Sequence, residues 1–226
     1  TPKGLKEIDQ QISKKIKNTN IIDVLTDTEH WLNWSQPFGL LSGMEPKSNN
    51  LKEKYIATTF CYGCNLGPSQ TARSIPQLDR RQISFTNNRH ISEEMLDEAN
   101  SRVIKIYSKF SLPKYWGTGK SASADGTKWD VYEKNLLSEY HIRYGGYGGI
   151  GYYHVADNYI AFFSRFISCG VWEGVYILDA LIEQSGDLDI DTVHSDTQGQ
   201  SAPIFGLAYL LGINLMPRIR NWKDLN

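Results

Sequence analysis

The stretch "DTVHSDTQGQSAPIFGLAYLLGINLMPRI", residues 191–219, decides how the second half of the chain folds. It reads as a short strand ("DTVHSD"), a helix ("SAPIFGLAYLLG") and a second short apolar strand ("INLMPRI"). Ser201 stands where a helix cap belongs, Pro203 suits the first turn, and Gly212 marks the stop. Upstream, "VWEGVYILDALIEQ" spaces Trp172, Val175, Leu178, Leu181 and Ile182 as a helical stripe. Before it, "GIGYYHV" and "YIAFFSRFIS" are β-rich runs separated by "ADN", a hairpin with Asp157 and Asn158 in its turn. A hairpin followed by alternating helices and strands predicts a mixed sheet with helices packed on it.

Two aspartates acquire a geometric meaning in that order. Asp125, in "SASADGTKWD", ends or interrupts the first strand, and Asp196 ends "TVHSD" before the turn "TQGQ". If the helical crossover makes those strands parallel neighbours, both carboxylates reach one sheet edge, where α/β sheets bind ligands. Paired carboxylates repel unless a cation lies between them, and such oxygen ligands suit Mg²⁺. Two such ions can drive phosphoryl transfer. Taken singly, each residue has a plainer reading: Asp-Gly is most often a turn, and "SDTQG" suits a helix approach. Asp187, Asp189 and Asp191 lack the spacing and closing Glu of a calcium loop and read as solvated loop acids.

Bulk properties bound the remaining possibilities. A chain of 226 residues with 40% hydrophobic content and 12% aromatics can bury a core as one large domain or two small ones. With 24 Lys+Arg against 25 Asp+Glu, nucleic-acid binding would have to rest on local patches. The three cysteines make no disulfide framework, and a reducing, intracellular setting is expected. No apolar run is long enough for a membrane helix, so no membrane association is expected.

The first half reads as helical. "LKEIDQQISKKIKN" (residues 5–18) places Leu5, Ile8, Ile12 and Ile16 on one stripe, with Lys14, Lys15 and Lys17 on its wet face. "SEEMLDEANSRVIKIYSKF" offers Ser92 as cap, acids in its first turn and a buried stripe of Met95, Leu96, Ala99, Val103, Ile106 and Tyr107. Pro113, Gly117 and Gly119 then break the pattern, giving a helical linker or scaffold region over 1–118 and a second domain over 119–226.

A series of landmarks runs through the chain in order: "DVLTDTEHWLNW", "CNLGPSQTA", "EEMLDEANSRVI", "LPKYWGTGKSASADGTKWD", "YYHVADNY", "ILDALIEQ", "VHSDTQGQSAPIFGLAYLLG" and "PRIR". On these the sequence, from about residue 20 to 220, resembles the catalytic region of the Tn-three family of DDE transposases. The resemblance implies an α/β (α+β) fold: a ribonuclease-H-like mixed sheet with flanking helices, preceded by a mostly helical region. It implies cleavage of transposon ends and joining of the freed 3′-hydroxyl to target DNA in replicative transposition. Asp125 and Asp196 match the first two of three acids that bind Mg²⁺, with Mn²⁺ as substitute. The partners implied are the terminal inverted repeats and target DNA, and the full-length enzyme is expected to be a homodimer in the bacterial cytoplasm.

Two departures qualify the match. Ala124 precedes and Thr127 follows the first acid where the family usually has Ser-Asp-Gly-Gln. The family's third acid, a Glu on a later helix, matches no residue here, and Glu173 and Glu183 stand too early in the order. The catalytic domain is therefore read as incomplete at its C-terminus, and two acids alone are expected to be inactive and to hold metal poorly.

His194 lies two residues before Asp196 and is a possible accessory for water or phosphate, or else a buried structural His. For DNA contact the candidates are Arg73, Arg80, Arg81, Arg89, Arg218 and Arg220, with a solvated basic surface as the alternative. "CYGC" (61–64) reads as packing rather than half a zinc site, and "YGGYGGIGYY" as a flexible approach to the hairpin. Trp31, Trp34, Trp116, Trp129 and Trp172 are expected mostly in the core. Two further functions stand beside the transposase: a truncated, non-catalytic fragment acting in DNA binding or dimerisation, and a carbohydrate-binding or carbohydrate-active domain.

Overall fold

The computed structural model describes residues 2–16, 18–44, 50–131, 135–142, 145–183, 189–221 and 223. Lys17 and Asp187 lie outside the described residues. The chain divides into two compact units, Thr1–Val103 and Ile104–Asn226. The sequence break at Gly117 falls inside the second unit, just ahead of its first strand.

The first unit is helical: α1 (Leu5–Lys15), α2 (Ile21–Leu32), α3 (Leu51–Gly63), α4 (Pro68–Ser74), α5 (Arg80–His90) and the greater part of α6 (Glu93–Tyr107). Trp34, Phe38 and Tyr55 stack edge to face, and Tyr55 donates to or accepts from His90 Nδ1 at 3.0 Å inside that cluster. Cys61 is fully buried with Ala57, Leu78 and Ile83, so "CYGC" serves packing, and all three cysteines are free. Asp79 and Gln82 cap α5 reciprocally, and Ser92 Oγ accepts from Met95 N at the start of α6. The α6 stripe is less buried than expected: Ala99 is enclosed, but Leu96 is exposed. The stripe on α1 is bare, with Leu5, Ile8, Ile12 and Ile16 all exposed.

The second unit is a six-stranded mixed sheet: β1 (Ser121–Asp130), β2 (Glu139–His141), β3 (Gly146–Ala156), β4 (Ala161–Ser168), β5 (Thr192–Ser195) and β6 (Asn214–Pro217). β1 runs antiparallel to β3 and parallel to β5, and β5 runs parallel to β6. β2 and β4 both pair with β3, antiparallel. Helices α7 (Tyr176–Glu183) and α8 (Ala202–Leu210) make the connections to β5 and β6. This is the ribonuclease-H-like order, an antiparallel hairpin layer joined through β1 to parallel strands.

Alternation along the strands sets the two faces. Ala124, Ile150, Tyr152, Ile167 and Val193 are buried with Ile177 and Leu178 of α7 and Ile204 and Ala208 of α8. Ser123, Asp125 and His194 point the other way and are exposed. Removing such apolar side chains from water contributes about 1.5–3 kcal/mol each, which fixes the register. The end of α8 carries paired backbone bonds, Ile213 N to Ala208 O and Gly212 N to Tyr209 O, with Gly212 at φ 72. That left-handed stop sends the chain directly into β6.

Several expectations need correction. Asp125 neither ends β1 nor lies in a turn; it pairs with Tyr153 while the strand runs on to Asp130. From Gly146 on, the glycine-rich run is not a flexible approach but part of β3, buried from Gly148. A Cβ on Gly149 would lie 2.1 Å from the Phe166 ring, and one on Gly151 2.7 Å from Trp129 Nε1. Aromatic rings lie across a strand that only glycines leave flat enough. Of the five tryptophans, Trp34 alone is buried; Trp31, Trp116, Trp129 and Trp172 are exposed.

Candidate active site

The parallel pairing of β1 with β5 ends at Ala124 opposite Ser195. Asp125 and Asp196 are the next residue on each strand, so the crossover through α7 brings the two acids to one sheet edge. There the strands part: Asp125 stays in β1, and Asp196 turns away to cap the 3₁₀ turn Thr197–Gly199.

Each carboxylate is held by one oxygen. Asp125 Oδ1 accepts from Gly126 N at 2.8 Å, and Asp196 Oδ1 accepts from Gln198 N at 2.9 Å. Among the described residues the second oxygen of each meets no hydrogen-bond or ion-pair partner. Asp125 is exposed and Asp196 half-buried, which leaves both open to a ligand. A Cβ on Gly199 would lie 2.2 Å from Ser195 Oγ, so the glycine of "SDTQG" permits the tight turn that aims Asp196.

Beneath this edge stands Tyr152, 1% exposed, with a hydroxyl that has no partner. Burial raises its phenol pKa, and the charges of Asp196, Glu173 and Asp125 raise it further. His154, two residues along β3, is also buried; its Nε2 donates to Ile177 O at 2.9 Å and ties the sheet to α7. Burial lowers its pKa, against smaller upward pulls from that bond and from Asp179. It is a structural imidazole held neutral.

His194 is exposed on β5 opposite Ser123, so its alternative as a buried structural His does not hold. Arg218 N donates to Ser195 O at 2.9 Å and Arg220 N to the Gln200 side chain at 2.8 Å, placing both exposed arginines at the end of the sheet that carries Asp196. Arg73 on α4 and Arg80, Arg81 and Arg89 on α5 are exposed residues of the first unit. Asp189 and Asp191 are exposed, Asp189 lying 3.8 Å from Lys120, in keeping with loop acids. Among the described residues no group of three or more His, Cys, Asp or Glu side chains converges in a metal-ligating arrangement.

The sequence left Tyr152 unread, since it looked like one more β-strand aromatic. A second strand-register signal could have found Tyr152, because it pairs with Gly126 beside Asp125.

The family model described as "Tn3 transposase DDE domain" matches residues 23–226. The chain belongs to that family. It is 26% identical to the transposase of transposon Tn1546 from Enterococcus faecium over 99% of its own length and 23% of that protein's. It is 29% identical to the Tn501 transposase of Pseudomonas aeruginosa over 93% of its length and 21% of the relative's. With the Escherichia coli gamma-delta transposase the identity is 28%, over 96% and 22%. The chain thus spans less than a quarter of these relatives. Among solved structures, a piggyBac transposase synaptic complex with hairpin DNA aligns at a TM-score of 0.39 and 13% identity over 98% of this chain and 48% of that one. A Mos1 transposase paired-end complex aligns at 0.32 and 8% over 97% and 74%. Both scores are too low to carry weight, and the fold stands on its strand pairing. Family membership removes the carbohydrate-domain reading.

Proposed function

We propose that this chain supplies the first two metal-binding acids, Asp125 and Asp196, of a transposase that cleaves transposon ends and joins the freed 3′-hydroxyl to target DNA. The observation that carries this reading is their placement, one residue beyond the last parallel pair of β1 and β5. The donor set fits a hard divalent cation: each carboxylate keeps an oxygen that meets no hydrogen-bond or ion-pair partner among the described residues, at an accessible edge. Asp125 and Asp196 would hold Mg²⁺, or Mn²⁺ in its place. When bound, such an ion supplies charge stabilisation to phosphoryl oxygens and lowers the pKa of an attacking water or hydroxyl. The residues of this chain present two carboxylates, Asp125 within β1 and Asp196 just past β5, each anchored through one oxygen, so little reorganisation is needed when the ion arrives.

The substrates in this reading are terminal inverted repeats and target DNA, with replicative transposition in the bacterial cytoplasm and a homodimer as the acting form. Residues 1–118 act as a scaffold for the ribonuclease-H-like domain over 119–226, and the family's third acid, a Glu, is expected from outside this sequence. Arg218 and Arg220, whose backbones bond to Ser195 and Gln200 at the end of the sheet that carries Asp196, are the phosphate contacts in this reading, with His194 as an exposed accessory on β5.

The test uses the longer transposase that contains this chain. Asp125→Asn and Asp196→Asn should each reduce Mg²⁺-dependent nicking and strand transfer on a labelled transposon-end duplex to the enzyme-free level, with DNA binding kept. Retained strand transfer in either variant sinks the assignment. DNA binding without nicking in the unmutated protein would favour the non-catalytic fragment.

A further inference from the structure

Gly149 and Gly151 of β3 pair with Trp129 and Thr127 of β1, on the face of the sheet that carries Asp125. Over Gly149 lies the ring of Phe166, which offers no hydrogen-bonding group. The cover over Gly151 differs in kind: a Cβ there would stand 2.7 Å from Trp129 Nε1 and 2.8 Å from the Tyr153 hydroxyl. Two donors thus converge on one point above bare backbone, and among the described residues neither has a hydrogen-bond partner. Covering a glycine needs only a ring, as Phe166 shows, so two donors at the same point exceed that need.

The strand register fixes where this notch lies relative to the acids. Tyr153 is opposite Asp125, and Gly151 is opposite Thr127, one outward row further along β1. Two residues of strand span about 7 Å, comparable to the separation of successive phosphates along a nucleic acid strand. Asp125, Thr127 and Trp129 are all exposed, so the row is open to a ligand. An indole N–H can only donate and a phenol O–H donates readily, so the notch calls for an acceptor. Phosphate oxygens are such acceptors, and side-chain contacts to them set the register of a bound strand without reading its bases.

We propose that Trp129 Nε1 and the Tyr153 hydroxyl donate to one backbone phosphate of a DNA strand laid along this row, the neighbour of the phosphate that meets the cation at Asp125 and Asp196. The proposal rests on the metal-binding reading of those two acids. It makes Trp129 and Tyr153 substrate-holding residues, which keep the strand in place while the reacting phosphate sits at the sheet edge.

The experiment uses the longer transposase that contains this chain. Trp129→Phe and Tyr153→Phe each keep a ring over Gly151 and remove a donor, and binding to a transposon-end duplex is measured in EDTA to separate it from the metal. Each variant should bind more weakly, on the order of tenfold, and Tyr153→Phe should melt as the parent does. The slope of log affinity against log salt should stay the same, because no cation is lost. Single methylphosphonates at successive positions around the cleavage site then locate the contact: next to the cleaved phosphate, the penalty seen with the parent should shrink in the double variant. Parent-like binding by both single variants overturns the inference, as does a methylphosphonate penalty that is equal in parent and double variant at every position. Weakened binding that tracks a lowered melting temperature in Tyr153→Phe makes the hydroxyl structural and overturns it too. Asp125→Asn judges the underlying reading separately: nicking retained in that variant sinks the reading, whereas nicking lost there with parent-like binding by Trp129→Phe and Tyr153→Phe sinks the inference alone.

Discussion

Gly199 and Ser195 are in such close approach that a Cβ on the glycine would stand 2.2 Å from the serine Oγ. The turn between them holds Asp196, so the fit of these two residues sets where that carboxylate points. Gly199→Ala should cost about 1–3 kcal/mol by overpacking. Ser195→Ala removes the offending oxygen, leaving Ile177 and Pro217 at 3.1 Å as the next neighbours. The double variant should recover much of the loss. Denaturant unfolding of the two single variants and the double variant measures the coupling; strict additivity would show that the contact is not what restricts the turn.

Asp157 does more than turn the hairpin. Its carboxylate accepts from Gly119 N at 2.6 Å and from the backbone N and hydroxyl of Thr118 at 3.0 and 3.1 Å. It thereby pins the segment entering β1 to the β3–β4 turn. Asp157→Ala should destabilise the protein by about 2–3 kcal/mol, and Asp157→Asn by less, since it keeps an acceptor. Equal melting of both variants and the parent would remove this bond set from the account.

How much of this was legible in advance depends on the range of the interactions involved. The hairpin, the stripe of α7 and the β5–α8–β6 succession are local patterns, and Gly212 punctuates them as its φ requires. Asp125 was misplaced because its strand continues by pairing with Tyr152 to Gly148 of β3, a stretch in which Gly149 and Gly151 leave room for the rings of Phe166 and Trp129. Nothing in a glycine-rich run announces rings from other strands. The α1 stripe failed in the opposite sense: Leu5, Ile8 and Ile12 keep helical spacing without burial, because periodicity states which face is apolar and not what covers it. The approach of Glu173 to Gly126 could not be read at all, since it exists only in three dimensions.

His154 predicts a pH dependence. Burial places its pKa below the ordinary value, so between that ordinary value, about 6.5, and the lower folded one, the unfolded chain binds more protons. Stability is therefore fully present above the unfolded pKa and falls as pH drops through this window. His90 is lowered in the same direction, by burial and then by Lys54, and adds to the slope. His154→Gln should lower the melting temperature at about pH 7.5 yet flatten its decline towards about pH 5. A decline as steep as the parent's would show that His154 is not among the groups responsible.

Arg80 and Arg81 bear on DNA binding. Both are exposed in the first turn of α5, and no ion pair ties either to a described acid, so their charge is available to phosphate. Each phosphate contact contributes close to one unit to the slope of log affinity against log salt. Replacing both arginines by alanine should therefore reduce the slope for binding of a transposon-end duplex by the intact enzyme by about 2. The loss should be similar on unrelated sequences, because phosphate contacts carry no base information. An unchanged slope would leave these arginines as solvated surface, whereas a loss confined to the transposon end would move them from the backbone to the bases.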